Sequence, residues 1–330
     1  MDIMIYDRLQ GQKKALWAEF LTRAGLHPDE AVERTALIWD DDGTLIATAS
    51  RQGNLLKCIA VDDAHQGEGL TATLVTQLRQ DAFNHGYSHL FLYTKPKNEL
   101  QFSSLFFYPV ACTDDVLLME NKKNGILQFL QSLPAEPKSG ITGAAVMNCN
   151  PFTKGHRYLI ETAAKECDRL YVFVLSEDKS EFSYKDRMEM VKRGTADLAN
   201  VTVLPTGPYL ISSATFPTYF LKDREQATQI QCLLDIEIFC KYYVPHFSID
   251  RRYVGTEPLS PMTDRYNQAL DAQLPEKGIA LRQIPRLESD GLPISASAVR
   301  AALESGDTAL LKQYLPHTSY EYLKTIGFMK

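Results

Sequence analysis

The feature of this sequence that most constrains its fold is a short polar turn between an apolar run and an amphipathic segment. The run from Ile141 to Met147 is typical of a buried strand, and Arg157 to Cys167 has apolar residues at helical spacing. The turn between them, residues 150–156, reads Asn-Pro-Phe-Thr-Lys-Gly-His. Free N–H groups and the dipole of a first helical turn attract anions. We therefore predict an anion-binding site at this turn.

The side chains of the turn favour a phosphate-bearing ligand. Thr153 and His156 lie three residues apart and share a face of the opening helical turn. Gly155 between them has no side chain, so a phosphate or ribose can approach the backbone closely. A single histidine at a helix start is more often a cap or a solvated side chain than a catalytic group. His156 differs from that ordinary case because Thr153 and Gly155 accompany it and because a second motif, which ends in Arg300, occurs later in the chain.

Composition restricts the class of protein. A chain of 330 residues is long enough for two domains, and its apolar (45%) and charged (23%) contents are those of globular proteins. The net charge of −6 argues against general nucleic-acid binding. We expect no membrane span and no signal peptide. The six cysteines form no C-x-x-C pair, which favours reduced thiols, a cytoplasmic location and no protein metal site.

A proline- and glycine-containing stretch divides the chain. Residues 133–140 read Leu-Pro-Ala-Glu-Pro-Lys-Ser-Gly, a composition typical of a solvated connector. We predict an N-terminal domain over residues 1–133, a linker over 134–140 and a C-terminal domain over 141–330.

Strands alternate with helices along the C-terminal part, which predicts an α/β fold with a doubly wound parallel sheet. The ligand of such a sheet binds at the carboxyl ends of its strands. The N-terminal part predicts a smaller α+β domain, with a hairpin around residues 40–43, a strand over Leu55 to Val61 and a helix over Leu70 to Phe83. The C-terminal strands are predicted at 141–147, 170–175, 201–204 and 252–254, and the helices at 157–167, 184–197, 226–242 and 298–305.

A second candidate phosphate site lies near the C-terminus. Residues 294–300 read Ile-Ser-Ala-Ser-Ala-Val-Arg and open a helix after Pro293. Ser295 or Ser297 can cap this helix, or its hydroxyl can hold phosphate oxygens. Arg300 returns to the same face with a bidentate guanidinium. Taken alone, the segment is equally typical of a capped helix with a surface arginine.

The two motifs together resemble the paired signatures of the HIGH-type nucleotidyltransferase superfamily. Members of that superfamily transfer nucleotidyl groups, often adenylyl from ATP with release of pyrophosphate. The longer stretch Val146–Glu161 resembles the citrate lyase ligase family in particular. Residues 209–217 and 254–258, with Tyr266 and Asn267 downstream, agree with that family. The resemblance covers nearly the whole chain.

The resemblance implies a role for each matching residue. His156 would donate to the α-phosphate or its bridging oxygen, and Thr153 would hold neighbouring phosphates where many relatives have histidine. Lys154 and Arg300 would stabilise charge on the triphosphate. Mg²⁺ is expected with ATP, held mostly by phosphates and water. The implied nucleotide-binding residues are Asn148, Asn150, Phe152, Gly155, Gly255, Thr256, Glu257, Ser295 and Ser297.

A loop in the N-terminal part resembles the pyrophosphate loop of the GNAT acetyltransferase family. Gln66, Gly67, Gly69 and Thr71 lie between a predicted strand and a predicted helix, and Thr71 stands where that family has Gly or Ala. Such loops bind the pyrophosphate of coenzyme A through backbone N–H groups. Three interpretations stay open: a plain strand-to-helix turn, a site for a CoA-like arm, or an independent amine acetylase.

The citrate lyase ligase resemblance implies the following function. ATP and acetate would form acetyl-adenylate, whose acetyl group passes to the prosthetic-group thiol of the citrate lyase acyl-carrier subunit, releasing AMP and pyrophosphate. We hypothesise that Ser212, Ser213 and Thr215 line the acetate or thiol site. The alternatives are a simple adenylyltransferase acting on a nucleotide or pantetheine phosphate, and a non-catalytic sensor of nucleotide and a CoA-like ligand.

Overall fold

The chain divides into two compact units. The first unit comprises Met1–Gln128 and Phe216–Leu234, and the second comprises Phe129–Thr215 and Asp235–Lys330. The division is not sequential, because Phe216–Leu234 belongs with the N-terminal stretch. Within this first unit the Tyr219 hydroxyl donates to the Tyr93 carbonyl oxygen (3.0 Å). The predicted boundaries at 133 and 140 stay a prediction. The computed structural model describes residues 2–178, 180–210, 216–221, 226–256 and 261–329.

The first unit contains a mixed sheet over the described residues. Its strand order is β1-β2-β3-β4-β5-β7-β6, and neighbouring strands are antiparallel except for β4 and β5. These two parallel strands pair only through Leu55 with Phe91 and Leu56 with Leu92. The elements of this region are β1 Asp2–Asp7, α1 Gly11–Arg23, β2 Arg34–Trp39, β3 Leu45–Gln52, β4 Leu55–Val61, α2 Leu70–Asn84, β5 Phe91–Thr94, α3 Glu99–Ser103, β6 Tyr108–Cys112, β7 Leu117–Glu120 and α4 Gly125–Gln131.

Helix α2 packs as its periodicity predicts. Leu70, Leu74, Leu78 and Ala82 lie on one face of the helix and are buried against the sheet. The hairpin predicted around residues 40–43 joins β2 to β3. Strands β1, β6 and β7 were not foreseen by the predicted elements.

The second unit contains a parallel sheet of order β10-β9-β8-β11-β12 over the described residues. Strands β9 and β10 lie on one side of β8, and β11 and β12 lie on its other side. The direction in which strands are added therefore reverses between β8 and β11. The doubly wound α/β prediction is therefore confirmed. The elements from β8 onward are β8 Thr142–Met147, α5 Lys154–Lys165, β9 Arg169–Val174, α6 Tyr184–Thr195, β10 Val201–Pro205, α7 Ala227–Ile238, α8 Val244–Phe247, β11 Arg251–Gly255, α9 Pro261–Gln273, β12 Ala280–Ile284, α10 Ala296–Ser305, α11 Thr308–Tyr314 and α12 His317–Thr325, with a two-stranded ribbon of β13 Glu288–Ser289 and β14 Leu292–Pro293. Helix α7 begins in the stretch Phe216–Leu234, which belongs to the first unit.

A single apolar core fixes the helices that flank the site. Ile160, Ala163 and Ala164 of α5 pack with Val299 and Ala302 of α10 in one buried cluster. The two helices that begin with the sequence motifs therefore share a core. None of the helices within the described ranges combines the length and apolar character needed to cross a bilayer.

Candidate functional site

A cavity lies where the strand order of the parallel sheet reverses. Its walls come from the turn after β8, the carboxyl ends of β11 and β12, and the start of α10, and its volume is about 620 Å³. A crevice outside the carboxyl ends of strands at this point is where open α/β sheets bind ligands. The predicted site residues that line it are Asn148, Asn150, Thr153, Gly155, His156, Gly255, Ser295, Ser297 and Arg300.

The first turn of α5 fixes the tautomer of His156. The backbone N–H of Thr153 donates to His156 Nδ1 (3.0 Å), and the His156 N–H donates to Thr153 Oγ1 (3.4 Å). These two bonds form a capping box in which the histidine takes the position usually held by Glu or Gln. Because Nδ1 accepts, the proton of the neutral ring lies on Nε2. His156 therefore offers one N–H donor to a ligand.

The ring of His156 is held in the neutral form. Burial, and next the positive charge of Arg286, lower the pKa of His156 to about 4. Protonation would also place a hydrogen on Nδ1 and break its bond from Thr153. At neutral pH the imidazole thus acts as a hydrogen-bond donor without adding a positive charge.

Close packing joins the two motifs. A Cβ placed on Gly155 would lie 3.3 Å from the Ile294 carbonyl oxygen. Arg300 Nη1 donates to the Asn150 carbonyl oxygen (2.6 Å), and Arg300 Nη2 donates to Ser297 Oγ (3.2 Å). The structure thus brings the polar turn and the C-terminal motif, 150 residues apart, to one cavity.

The helix that follows the second motif is capped by its first serine. Ser295 Oγ accepts from the Ala298 N–H (3.1 Å), while Ser297 Oγ accepts from Arg300. The Arg300 Nε lies 3.5 Å from a carboxylate oxygen of Glu181. Glu181 therefore offsets part of the positive charge that Arg300 contributes to the cavity.

A buried arginine of α6 supports the loops behind the cavity. Arg187 is fully buried and donates to the carbonyl oxygens of Asn148 (2.9 Å), Leu175 (2.9 Å) and Phe182 (3.1 Å). Asn148 Oδ1 also accepts from Arg187 Nη1 (2.7 Å). Asn148 thus has a structural role in addition to lining the cavity.

Three predicted residues do not line the cavity. Phe152 is fully buried and packs against Gly194, with its ring stacked 6.0 Å from that of His156. Lys154 points elsewhere, since its Nζ donates to the Lys312 carbonyl oxygen (3.0 Å). Thr256 Oγ1 accepts from the Arg286 N–H (3.3 Å), so this residue supports the wall from behind. Phe152 and Lys154 flank Thr153 and project to other sides of the chain, which the motif spacing alone does not reveal.

Four further predictions concern residues that the structure does not describe. Glu257, Ser212, Ser213 and Thr215 lie outside the described residues. Their assignments stay predictions.

Two arginines of the cavity were missed from the sequence. Arg252 lies on β11, and Arg286 follows β12, where its Nε donates to the Thr256 carbonyl oxygen (3.0 Å). Neither belongs to a short motif. Arg252 stands at the start of the predicted strand 252–254, which does not distinguish it from a surface arginine, and Arg286 follows a strand, β12, that the sequence analysis did not predict.

The cysteine in the polar turn is unsuited to nucleophilic catalysis. Cys149 is buried, and burial raises the pKa of its thiol well above the usual range. A thiol in that state is not ionised at neutral pH.

The described residues contain no group of three or more His, Cys, Asp or Glu side chains placed to hold a metal ion.

A separate cavity of about 620 Å³ lies in the first unit. It opens where β4 and β5 diverge, and Gln66, Gly67, Gly69 and Thr71 are among its lining residues. Gly67 (φ 91°) and Gly69 (φ 77°) adopt the left-handed backbone conformation that glycine tolerates best. Tyr219 and Phe220 also line it.

Comparison with known proteins decides the family. The family model described as citrate lyase ligase C-terminal domain matches residues 142–323. The citrate (pro-3S)-lyase ligase of Klebsiella pneumoniae is 39% identical over 304 residues, covering 90% of this chain and 89% of the relative. The chain belongs to the citrate lyase ligase family. The ligase of Escherichia coli K12 is 38% identical and covers 97% of this chain and 92% of its own length.

Other matches are partial. The acetyltransferase (GNAT) family model matches residues 4–101 of this citrate lyase ligase family member. Phosphopantetheine adenylyltransferase of Clostridium botulinum strain 657 is 37% identical over 92 residues, covering 27% of this chain and 52% of the relative. Among solved structures, Escherichia coli ElaA matches 37% of this chain and 99% of its own, with 14% identity and a TM-score of 0.32.

Proposed function

We propose that this protein uses ATP to acetylate the prosthetic-group thiol of a citrate lyase acyl-carrier subunit. The observation that supports this function most strongly is the meeting of His156 and Arg300 in one cavity at the reversal point of the sheet. Membership of the citrate lyase ligase family supports the acceptor. The reduced cysteines favour a cytoplasmic location. The proposed domains remain residues 1–133 and 141–330, joined by a linker over 134–140.

The first chemical step activates acetate. A carboxylate oxygen of acetate attacks the α-phosphorus of ATP, the bond from that phosphorus to the α,β-bridging oxygen breaks, and pyrophosphate leaves. The product is acetyl-adenylate. A protein accelerates such a transfer mainly by aligning the reactants and stabilising the developing negative charge.

His156 supplies a donor for that charge. Its Nε2–H, fixed by the Nδ1 bond to Thr153, is proposed to donate to an α-phosphate oxygen. The N-terminus of α5 adds free backbone N–H groups and a favourable dipole at the same place. A preorganised donor of this kind needs no reorganisation as the transition state forms.

The cationic side chains of the cavity are proposed to hold the departing phosphates. Arg300 and the N-terminus of α10 would contact the β- and γ-phosphates, with Ser295 and Ser297 as hydroxyl partners. Arg286 adds a further positive charge to the same cavity. Lys154 is not used in this proposal, because its ammonium is bonded to a carbonyl outside the cavity.

Mg²⁺ is proposed to enter with the nucleotide. Phosphate oxygens and water would supply most of its ligands. When bound, Mg²⁺ would offset phosphate charge.

The second step transfers the acetyl group. The carrier thiolate attacks the acetyl carbonyl carbon, the bond between that carbon and the adenylate oxygen breaks, and AMP leaves. The thiol proton passes to solvent. We propose that the cavity of the first unit, with Gln66, Gly67, Gly69 and Thr71, binds the CoA-like arm that ends in this thiol. An amine acetylase in this unit is the competing interpretation.

A second candidate is a simple adenylyltransferase. The partial similarity to phosphopantetheine adenylyltransferase favours it, because it shows the same class of nucleotide chemistry in a relative. That function leaves the first unit without a role.

Isotope exchange separates these functions. Purified protein is incubated with ATP, Mg²⁺ and labelled pyrophosphate, with and without acetate. Exchange that requires acetate supports the ligase. Adenylylated product from phosphopantetheine, without acetate-dependent exchange, supports the second candidate. Absence of turnover with every acceptor supports a nucleotide sensor and contradicts both enzymes.

A further inference from the structure

Arg252 is a buried cation, and two of its donor nitrogens lack acceptors among the described residues. Its side chain is 2% exposed and lines the same cavity as His156. Within the part of the chain that the structure describes, Nε and Nη1 of its guanidinium have no hydrogen-bond partner. A buried unpaired charge is strongly unfavourable, so such a group calls for a ligand or a catalytic explanation.

The other two arginines of the cavity differ from Arg252 in this respect. Arg300 donates to Asn150 and Ser297, and Arg286 donates to the Thr256 carbonyl. The guanidinium of Arg252 lies over the ring of Phe239, 4.3 Å from its centroid. This cation–π contact stabilises the charge in part but supplies no hydrogen-bond acceptor to Nε and Nη1.

The acidic group near Arg252 does not pair with it. Asp235 acts on Arg252 through space, and the described residues show no ion pair between them. Instead, Asp235 Oδ2 accepts a hydrogen bond from the Tyr266 hydroxyl (2.5 Å). Burial raises the pKa of Asp235 to about 6, which weakens its competition for the guanidinium in the weakly acidic range.

We infer that Arg252 binds the carboxylate of the acyl donor. The group has the charge and planar shape that suit a carboxylate, and Leu159 and Val254 supply apolar surface in the same cavity for a short alkyl group. This inference rests on the proposed function, because it names the residue that recognises the carboxylate substrate. A phosphate of the nucleotide is the other anion that Arg252 could contact.

Kinetics of matched variants distinguish the two anions. Arg252→Met is compared with Arg252→Lys and with the control Arg251→Met. Arg251 Nη1 donates to the Glu166 carbonyl oxygen outside the cavity (2.8 Å). We expect Arg252→Met to raise the KM for acetate by about 10- to 100-fold, while the KM for ATP changes by less than about 2-fold. Arg252→Lys should restore part of the acetate affinity, and Arg251→Met should alter neither KM. An equal rise in the ATP KM, or an unchanged acetate KM, overturns the inference.

Direct binding separates a failure of this inference from a failure of the proposed function. Saturation-transfer NMR on the methyl protons of acetate is recorded with wild type and each variant, with and without ATP. If wild type shows no acetate-dependent exchange, the proposed function fails, but an acetate signal that Arg252→Met removes still supports the carboxylate site. No acetate signal with wild type under either condition overturns the inference. If Arg252→Met does not fold, Arg252→Lys tests the inference instead. An acetate signal and an acetate KM that are both unchanged in Arg252→Lys contradict a specific guanidinium–carboxylate contact.

Discussion

The hydrogen bond from the Thr153 N–H to His156 Nδ1 determines which ring nitrogen carries the proton. A histidine in place of the usual acidic residue of a capping box thus has two roles at once. Nδ1 completes the helix cap, and Nε2–H serves the cavity. The two roles can be separated because asparagine and glutamine place their amides at different distances along the side chain.

We expect His156→Asn and His156→Gln to fail differently. In His156→Asn the side-chain oxygen can still accept from the Thr153 N–H, but no side-chain N–H remains at the position of Nε2. Acetate-dependent exchange should fall by about 10²- to 10³-fold with little change in Tm, as for removal of a preorganised donor. His156→Gln keeps an amide N–H at the longer reach, and glutamine is a usual capping-box residue at this position, so it should retain more exchange than His156→Asn with little change in Tm. Equal losses of exchange in both variants contradict the assignment of Nε2–H as the donor.

Stability should depend on pH through the same histidine. The pKa of His156 is lowered from 6.5 to about 4 in the folded protein, so between these values the unfolded chain binds more protons. The free energy of unfolding should therefore decrease as pH falls from about 6.5 to 4, by at most about 3 kcal/mol from this group. Urea denaturation at a series of pH values measures this change in the free energy of unfolding. His156→Asn should show a weaker dependence over that window, and an unchanged dependence argues against a buried neutral ring.

Sequence reasoning found the residues that belong to local motifs and missed those placed by strand register. Thr153, His156 and Arg300 stand in short segments whose chemistry is visible in the sequence. Arg252 and Arg286 reach the cavity because β11 and β12 pair in parallel next to β8, which no local pattern reveals. Lys154 looked equivalent to its neighbours but lies on another side of the helix start.

At the scale of elements, α6 supports the site from behind the sheet. Its Arg187 joins the end of β8, through Asn148, to the end of β9, through Leu175. Burial lowers the pKa of Arg187, yet the carbonyl acceptors keep the charge solvated by the protein. The loops that form the cavity therefore depend on one guanidinium that does not touch the proposed ligand.

We expect Arg187→Met to be strongly destabilising. Removal of the guanidinium leaves several buried carbonyl groups without donors, which should lower the free energy of unfolding by about 3–5 kcal/mol. Chemical denaturation monitored by circular dichroism measures the loss. Arg193→Met is the control on the same helix, since Arg193 makes an exposed pair with Glu189 (2.6 Å) and should change stability by about 0.5 kcal/mol or less. Similar losses in the two variants contradict a structural role specific to Arg187.

The regular elements were easier to predict than their ends. The predicted strand 55–61 agrees with β4, but α5 begins at Lys154 rather than Arg157, because the cap at Thr153 draws the turn into the helix. The predicted helix 226–242 is observed as α7 followed by a π-helical segment, Phe239–Tyr243. Helices α11 and α12 were not foreseen. Their burial depends on packing with the core of the second unit, including Leu311 and Leu323.

At the scale of the whole molecule, each unit contains a cavity of about 620 Å³, and the proposed reaction has two steps. If each unit serves one step, a change in the first unit should affect thiol transfer without affecting acetate activation. The grouping of Phe216–Leu234 with the first unit shows that the units are not independent in sequence. Their functions are tested best by variants within the intact chain.

We expect Thr71→Arg to separate the two steps. Thr71 lines the cavity of the first unit and accepts from Gln101 Nε2 (3.1 Å), so a longer side chain there should obstruct the CoA-like arm. The KM for the carrier should rise by about 10-fold or more, with acetate-dependent exchange unchanged. Thr73→Arg, on the exposed side of the same helix, is the control. If Thr71→Arg leaves the carrier KM unchanged, this cavity does not bind the acceptor.

The origin of the oxygen in AMP tests the central proposal most directly. Wild-type protein is incubated with ATP, Mg²⁺, the thiol form of the carrier and acetate labelled with ¹⁸O in its carboxylate, and AMP is analysed by mass spectrometry. Attack of acetate on the α-phosphorus, followed by cleavage of the acetyl carbon–oxygen bond, predicts one ¹⁸O atom in each AMP formed. Acetylated carrier accompanied by unlabelled AMP would contradict an acetyl-adenylate formed at His156.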